Sequence, residues 1–236
     1  MKIPELVLND MLGKTKYSEI KKAIFRLFTY SYTIFFATQV MIWDAYAYGG
    51  AYGKFGEDSY TETMQNIFLM AISVIYLIAC YRNTAFRTLS FALFSFSLAS
   101  LVREQDALLD THLFDGAWQC IVFLIVGATV IYLFRNFKAF IQDLEQFLPT
   151  YTSALFLFGT ITTYFFSRMY GRSIFWKGVM EEHYIRSVKN ASEECLELYG
   201  YTILLICAIE FAFVFLPAKR AARQTELNLC PETGNG

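Results

Sequence analysis

The chain has 236 residues, of which 56% are hydrophobic and only 17% are charged, and its formal net charge is −1. Soluble domains carry nearer a quarter of charged residues, and here the apolar residues fall into long uncharged runs that a soluble core does not need. The composition excludes an ordinary soluble domain, predicts a helical membrane protein and gives no reason to expect a nucleic-acid partner.

Six runs with few or no charges predict six transmembrane helices. In chain order they cover residues 27–43, 63–81, 88–102, 116–134, 148–167 and 198–218. The last run is interrupted only by Glu210, which we expect to be protonated or hydrogen-bonded to a neighbouring helix. The predicted fold class is therefore all-α: a polytopic membrane protein built as a bundle of six transmembrane helices.

The distribution of Lys and Arg predicts the orientation of this bundle. Thirteen of the 20 basic residues lie in the N-terminal segment, the 82–87 and 135–147 loops and the C-terminal tail. Such an excess marks the cytoplasmic side, so both termini are expected to be cytoplasmic in a protein of the cell (inner) membrane. This divides the chain into an interfacial segment (1–22), a six-span domain (23–218) and a disordered cytoplasmic tail (219–236).

Two connections between the spans show helical periodicity. In the predicted inner loop, Phe137, Phe140, Ile141 and Leu144 recur at helical spacing among polar residues, which predicts an amphipathic helix at the membrane surface or continuing the fourth span. The 168–192 loop predicts an interfacial or re-entrant helix on the outer side. Polar residues at 190–193 resemble the N-terminal cap of the last helix.

The third span ends in charges earlier than a transmembrane helix should. Its uncharged run of 15 residues corresponds to about 22 Å of helix, whereas the hydrocarbon core is about 30 Å thick. Arg103, Glu104 and Asp106 are thus expected at or below the outer membrane surface. Ionisable groups at that depth are costly and commonly mark a functional site.

A continuous third helix would place small and charged residues on one narrow stripe facing the bundle. Arg103 lies three residues before Asp106, close enough to pair with it, whereas Glu104 points about 100° away and needs another neighbour. The members of the stripe are Ala92, Ser95, Ala99, Arg103, Asp106 and Asp110.

The start of the last helix offers matching carboxylates at the same predicted depth. Together with the third span they predict a polar site formed by Arg103, Glu104, Asp106, Asp110, Asp115, Arg168, Glu193, Glu194 and Glu197. Such a group can bind a divalent cation or exchange protons among coupled carboxylates. The candidate metal ligands are Asp106, Asp110, His183, Glu193 and Glu197.

Two alternatives for these charges remain open: a structural network of ion pairs, and helix ends whose side chains simply reach water. Cation- or proton-linked handling of a small solute ranks first among the functions. A metal-dependent membrane enzyme acting on lipid-like substrates and a non-catalytic accessory or immunity protein follow. The sequence leaves the cofactor open, with a divalent cation as the candidate. Haem and nucleotides are not indicated, because no span contains a histidine for haem and no nucleotide motif is found. Besides the bilayer, the expected partners are a small cation or lipid-like ligand, and an oligomer or protein partner stays open.

Overall fold

The computed structural model describes residues 5–47, 54–56, 59–83 and 85–215. All regular elements within these residues are helical, which confirms the all-α fold class. A π-helical turn (Thr162–Phe166) joins two of the helices, and a 3₁₀ turn (Glu181–His183) follows a third. The α-helices are α1 (Glu5–Tyr46), α2 (Tyr60–Arg82), α3 (Arg87–Glu104), α4 (Asp106–His112), α5 (Ala117–Arg135), α6 (Phe137–Phe147), α7 (Tyr151–Ile161), α8 (Ser167–Tyr170), α9 (Ser173–Met180) and α10 (Arg186–Phe215).

Three described helices, α2, α5 and α10, are long and apolar enough to cross a membrane. These helices coincide with the second, fourth and sixth predicted spans. Three such helices are compatible with a membrane protein. The other predicted spans fall on α1, on α3 and on the segment from α7 to α8. The end of the sixth predicted span and the 219–236 tail lie outside the described residues.

Helix α10 forms the centre of the bundle. It packs against α2 and α7, while α2 packs against α3, and α3 in turn packs against α5. Phe211 and Phe215 near the end of α10 are buried and make ring contacts with Phe147 of α6 and, in the case of Phe211, with Tyr76 of α2. By contrast, Ala117 is the only buried residue of α5, and its other apolar side chains are exposed or partly exposed, which suits a helix that faces lipid.

Helix α10 begins earlier than the sequence predicts. It starts at Arg186 instead of residue 198, so Asn190, Ser192 and Glu193 lie inside the helix and do not cap it. That prediction was wrong because the first three turns of α10 are rich in charged residues and therefore lack the apolar run by which the span was recognised. The extra turns bring their charged side chains to the end of the bundle.

The predicted inner-loop helix is present as α6, separated from α5 at Asn136. Its Asp143 is buried and accepts hydrogen bonds from Thr88 Oγ1 and from the backbone N–H of Leu89, at 3.1 Å for the latter. These donors lie in the first turn of α3, where backbone N–H groups lack partners within the helix. Asp143 therefore caps α3 from another helix and ties α6 to the bundle.

Replacing Asp143 by alanine is expected to lower the free energy of unfolding by about 2 kcal/mol, because a buried cap with two hydrogen bonds is lost. Glu145→Ala is the matched control, since Glu145 is exposed on the same helix and its removal should leave the melting temperature unchanged. Thermal unfolding of the two purified variants in detergent measures the effect of each substitution. Equal melting temperatures would show that Asp143 does not hold α3.

Candidate functional site

An open cavity of about 690 Å³ lies where α3 ends and α10 begins; we call it the polar cavity. Phe55, Gly56, Trp118 and Asn190 contribute its uncharged lining. Six acidic and four basic residues provide the remainder of the described lining, so this part of the lining carries an excess of negative charge. These residues are Glu62, Glu104, Asp106, Glu193, Glu194, Glu197, Arg103, Arg168, Arg186 and Lys189.

The end of α3 is held against α10 by side chains at one edge of this cavity. Arg103 pairs with Glu104 through Nη2 and Oε1, and the same Nη2 lies 3.8 Å from Glu197 Oε2. The Arg103 guanidinium also sits over the ring of Tyr164, at 5.1 Å from its centre. Glu104 accepts a hydrogen bond of 2.7 Å from the Tyr201 hydroxyl. The further neighbour that the sequence predicts for Glu104 is thus Tyr201 of α10.

Arg168 of α8 joins two glutamates of α10. Its Nη1 lies 2.9 Å from Glu193 Oε1, and its Nη2 lies 3.2 Å from Glu197 Oε1. Lys189, one turn before Glu193 on the same helix, pairs with the other Glu193 oxygen. Glu193 and Glu197 are therefore both compensated by basic side chains, as in the structural network considered from the sequence.

The close approach of α8 and α10 depends on the π-helical turn and on Gly200. A Cβ on Gly200 would lie 2.9 Å from the backbone nitrogen of Thr163 and nearer still to Thr163 Oγ1. Only glycine fits at this contact without movement of the backbone. The same turn leads directly into Ser167 and Arg168, whose side chains meet Glu197. The glycine thus allows the ion pairs of α8 to form.

Glu194 has a different environment from its neighbours. In the part of the chain that the structure describes, no Lys or Arg nitrogen lies within 4.0 Å of its carboxylate. Its side-chain partner is Gln65 of α2, whose Nε2 donates to Glu194 Oε2 at 3.0 Å and to the Glu194 carbonyl oxygen at 3.2 Å. Gln65 is fully buried, and its Oε1 has no hydrogen-bond partner. A carboxylate and an unused amide oxygen therefore lie together beside the polar cavity.

Seven of the nine predicted site residues line the polar cavity, and two do not. The stripe on the third span was extended too far, because α3 ends at Glu104 and a separate helix, α4, starts at Asp106 after a break at Gln105. Asp106 is exposed at the cavity edge. Asp110 instead accepts a hydrogen bond of 3.1 Å from the Gly116 N–H, in the connection to α5. Asp115 is exposed outside the described lining.

The candidate metal ligands are only partly assembled. His183 is exposed in the 3₁₀ turn and is not among the described lining residues. Among the residues that the structure describes, no group of three or more His, Cys, Asp or Glu side chains is placed to hold a metal ion. The divalent cation stays a prediction from the sequence.

Sequence reasoning missed three uncharged residues of the site: Gln65, Tyr164 and Tyr201. Each lies inside an uncharged run, and the absence of charge predicts a span without indicating which of its side chains line a site. A polar side chain within an apolar span is itself a signal, since it needs a partner in the bundle. The four-residue spacing of Glu197 and Tyr201 also places both on one helix face.

Comparisons with protein families, with curated proteins and with solved structures find no significant similarity to this chain. The function of the chain must therefore be inferred from the geometry of the polar cavity alone.

Proposed function

We propose that this chain is a six-span protein of the cell (inner) membrane, with both termini cytoplasmic, that handles a small solute at the polar cavity in a cation- or proton-linked manner. The observation that supports this proposal is the environment of Glu194. Its carboxylate lies at a cavity open to solvent, hydrogen-bonded to a buried glutamine and without a basic partner among the described residues. Glu194 is the residue proposed to hold the proton or the positively charged group.

The physical reason is the high free energy of an uncompensated carboxylate away from water. The neighbouring Glu193 and Glu197 avoid this penalty through Arg168, Lys189 and Arg103. Glu194 can avoid it by binding a proton or by binding a cation. The acidic excess of the cavity also favours a bound cation, because the summed electric field of the cavity raises the local concentration of positive ions.

Replacing Glu194 by glutamine is the direct test. The amide keeps the size of the side chain and its hydrogen bond to Gln65 but removes the charge, so the variant should fold normally. Methylammonium binding to the purified protein, measured by titration calorimetry, should weaken at least tenfold, which corresponds to about 1.4 kcal/mol. Proton uptake coupled to methylammonium entry into vesicles should fall with it.

Glu182→Gln serves as the control, because Glu182 is exposed in the 3₁₀ turn and is not among the described lining residues. This variant should bind methylammonium like the unmodified chain. Identical binding by the Glu194 and Glu182 variants would contradict the proposed role of Glu194. A chain that neither binds methylammonium nor moves protons with it would contradict the function.

A further inference from the structure

We infer that a second cavity, at the other end of α10, binds an anionic membrane lipid, with Lys21, Lys22 and Arg26 around the lipid phosphate and two phenylalanine rings against the lipid chains. We call it the basic cavity. This inference goes beyond the proposed function. It uses the proposed six-span topology but not the solute site.

The basic cavity is open and has a volume of about 390 Å³, within the range of ordinary ligand pockets. Its described lining comes from α1 and from Phe213 in the last turn of α10. About 40 Å of helix separates Phe213 from Arg186, the first residue of α10, which lines the polar cavity. The two cavities are therefore distinct sites. The lining residues from α1 are Lys21, Lys22, Phe25 and Arg26.

Helical spacing brings the basic residues of α1 together. Lys22, Phe25 and Arg26 are three and four residues apart and so share a helix face. Lys21 lies four residues before Phe25, at the edge of the same face. No acidic residue is among the described lining residues of this cavity. The described lining thus carries only positive charge, which complements a phosphate group.

Arg26 is positioned by contacts inside the bundle. Its Nε lies 2.8 Å from Glu210 Oε1, and its guanidinium sits over the Tyr151 ring, 5.8 Å from the ring centre. Glu210 is fully buried, whereas the Arg26 side chain is 35% exposed. A guanidinium has five N–H donors, so the bond through Nε leaves further donors for an anion. The basic cavity therefore contains one cation that is already held in place.

The two lysines give the basic cavity its excess of positive charge, because Glu210 offsets the charge of Arg26. Both lysines are exposed. An ammonium group carries three N–H donors, so each lysine can bind a phosphate oxygen and keep another partner. The positive excess favours a lipid with net negative charge over a zwitterionic lipid.

The phenylalanine rings favour a lipid over a phosphate ion. Phe25 is 62% exposed and Phe213 is 55% exposed, and both line the cavity. A phosphate ion has no apolar part that would cover these rings, whereas a phospholipid carries its acyl chains beside the phosphate. In the proposed topology the first span starts at Leu27, so the basic side chains lie at the level of the cytoplasmic headgroups, where anionic lipids are found.

The test measures how added lipid raises the melting temperature of the full chain in detergent, which gives an apparent affinity for each lipid. The probes are phosphatidylglycerol and phosphatidylcholine with the same acyl chains. Phosphatidylglycerol should bind at least tenfold more tightly, because the choline group offsets the phosphate charge. The double variant Lys21→Gln, Lys22→Gln should lose at least tenfold in affinity for phosphatidylglycerol, as expected for two lysines near an anionic headgroup. Inorganic phosphate should stabilise no more than sodium chloride of equal ionic strength.

The matched control is the double variant Arg135→Gln, Lys138→Gln. Both residues are exposed on the predicted cytoplasmic side and are not among the described lining residues of the basic cavity. This variant loses the same charge and should bind phosphatidylglycerol like the unmodified chain. Equal losses in the two double variants would overturn the inference, since the general charge of that side would then account for binding.

Two further results would also overturn the inference. One is equal affinity for the two lipids, and the other is stabilisation by inorganic phosphate that depends on Lys21 and Lys22 and matches that by phosphatidylglycerol. Methylammonium binding should be unchanged in the Lys21→Gln, Lys22→Gln variant, because these residues do not line the polar cavity. The lipid site and the proposed function can therefore fail separately.

Discussion

Gly200→Ala is expected to destabilise the protein by about 3 kcal/mol, at the upper end of what an added methyl group does in a packed core. The new Cβ would lie 2.9 Å from the backbone nitrogen of Thr163, and closer to its hydroxyl, so a helix must move. Backbone atoms in the π-helical turn cannot turn away as a flexible side chain can. The displacement would also separate Arg168 from Glu197, adding the loss of an ion pair.

The control for this substitution is Gly127→Ala, because a Cβ at Gly127 of α5 meets no atom within 4 Å. Alanine is favoured over glycine in a helix by about 0.5–1 kcal/mol, so this variant should melt at the same temperature or higher. Thr163→Ala introduced together with Gly200→Ala removes the nearest atom but not the backbone nitrogen, and should restore only part of the stability. If both glycine variants melt alike, the contact between α10 and the π-helical turn is not tight.

The long elements of the fold could be predicted from the sequence because a helix that can cross a hydrocarbon core needs a long uncharged run. The uncharged runs at 63–81 and 116–134 lie within a few residues of α2 (Tyr60–Arg82) and α5 (Ala117–Arg135). In each case a charged residue closes the run at the point where the helix ends. Charge is a reliable boundary signal wherever a helix leaves an apolar environment.

The break after α3 could not be predicted in this way. No glycine or proline stands between Arg103 and Asp110, so the usual signals for a helix end are absent. The helix nevertheless ends at Glu104, at the cavity edge, where Glu104 bonds to Tyr201. Tertiary contacts decide the boundary here, and the stripe predicted to reach Asp110 failed for that reason.

Contacts between elements that are distant in sequence could not be predicted from the sequence either. Asp44 directly follows the first predicted span, and nothing in the sequence indicates its partner: it is buried and accepts hydrogen bonds from the Thr61 N–H at 3.2 Å and from Thr61 Oγ1 at 2.6 Å. It therefore caps α2. The predicted charges of the site do line one cavity, but which glutamate lacks a basic partner depends on the reach of each arginine. Sequence spacing does not contain that information.

Glu210 was expected to be protonated or hydrogen-bonded to a neighbouring helix, but the sequence did not indicate which helices would supply its partners. Glu210 is fully buried and accepts hydrogen bonds from the hydroxyls of Tyr30 and Tyr151, and its Oε1 lies 2.8 Å from Arg26 Nε. These partners lie on α1 and α7, so one carboxylate joins three helices. Because many of the described side chains of α1 are exposed, we expect this contact to contribute to the attachment of α1, together with its packing on α2 and α10.

Glu210→Ala is accordingly expected to lower the free energy of unfolding by about 3–5 kcal/mol, the range for a buried ion pair that loses one partner. Tyr30→Phe should have a smaller effect of about 1 kcal/mol, since it removes one hydrogen bond. Tyr32→Phe should have none, because Tyr32 is 70% exposed on the same helix. The melting temperatures of the three variants in detergent should rank these losses of stability. A Glu210→Ala variant as stable as Tyr32→Phe would mean that α1 is held by its apolar contacts alone and that the buried carboxylate contributes nothing to its attachment.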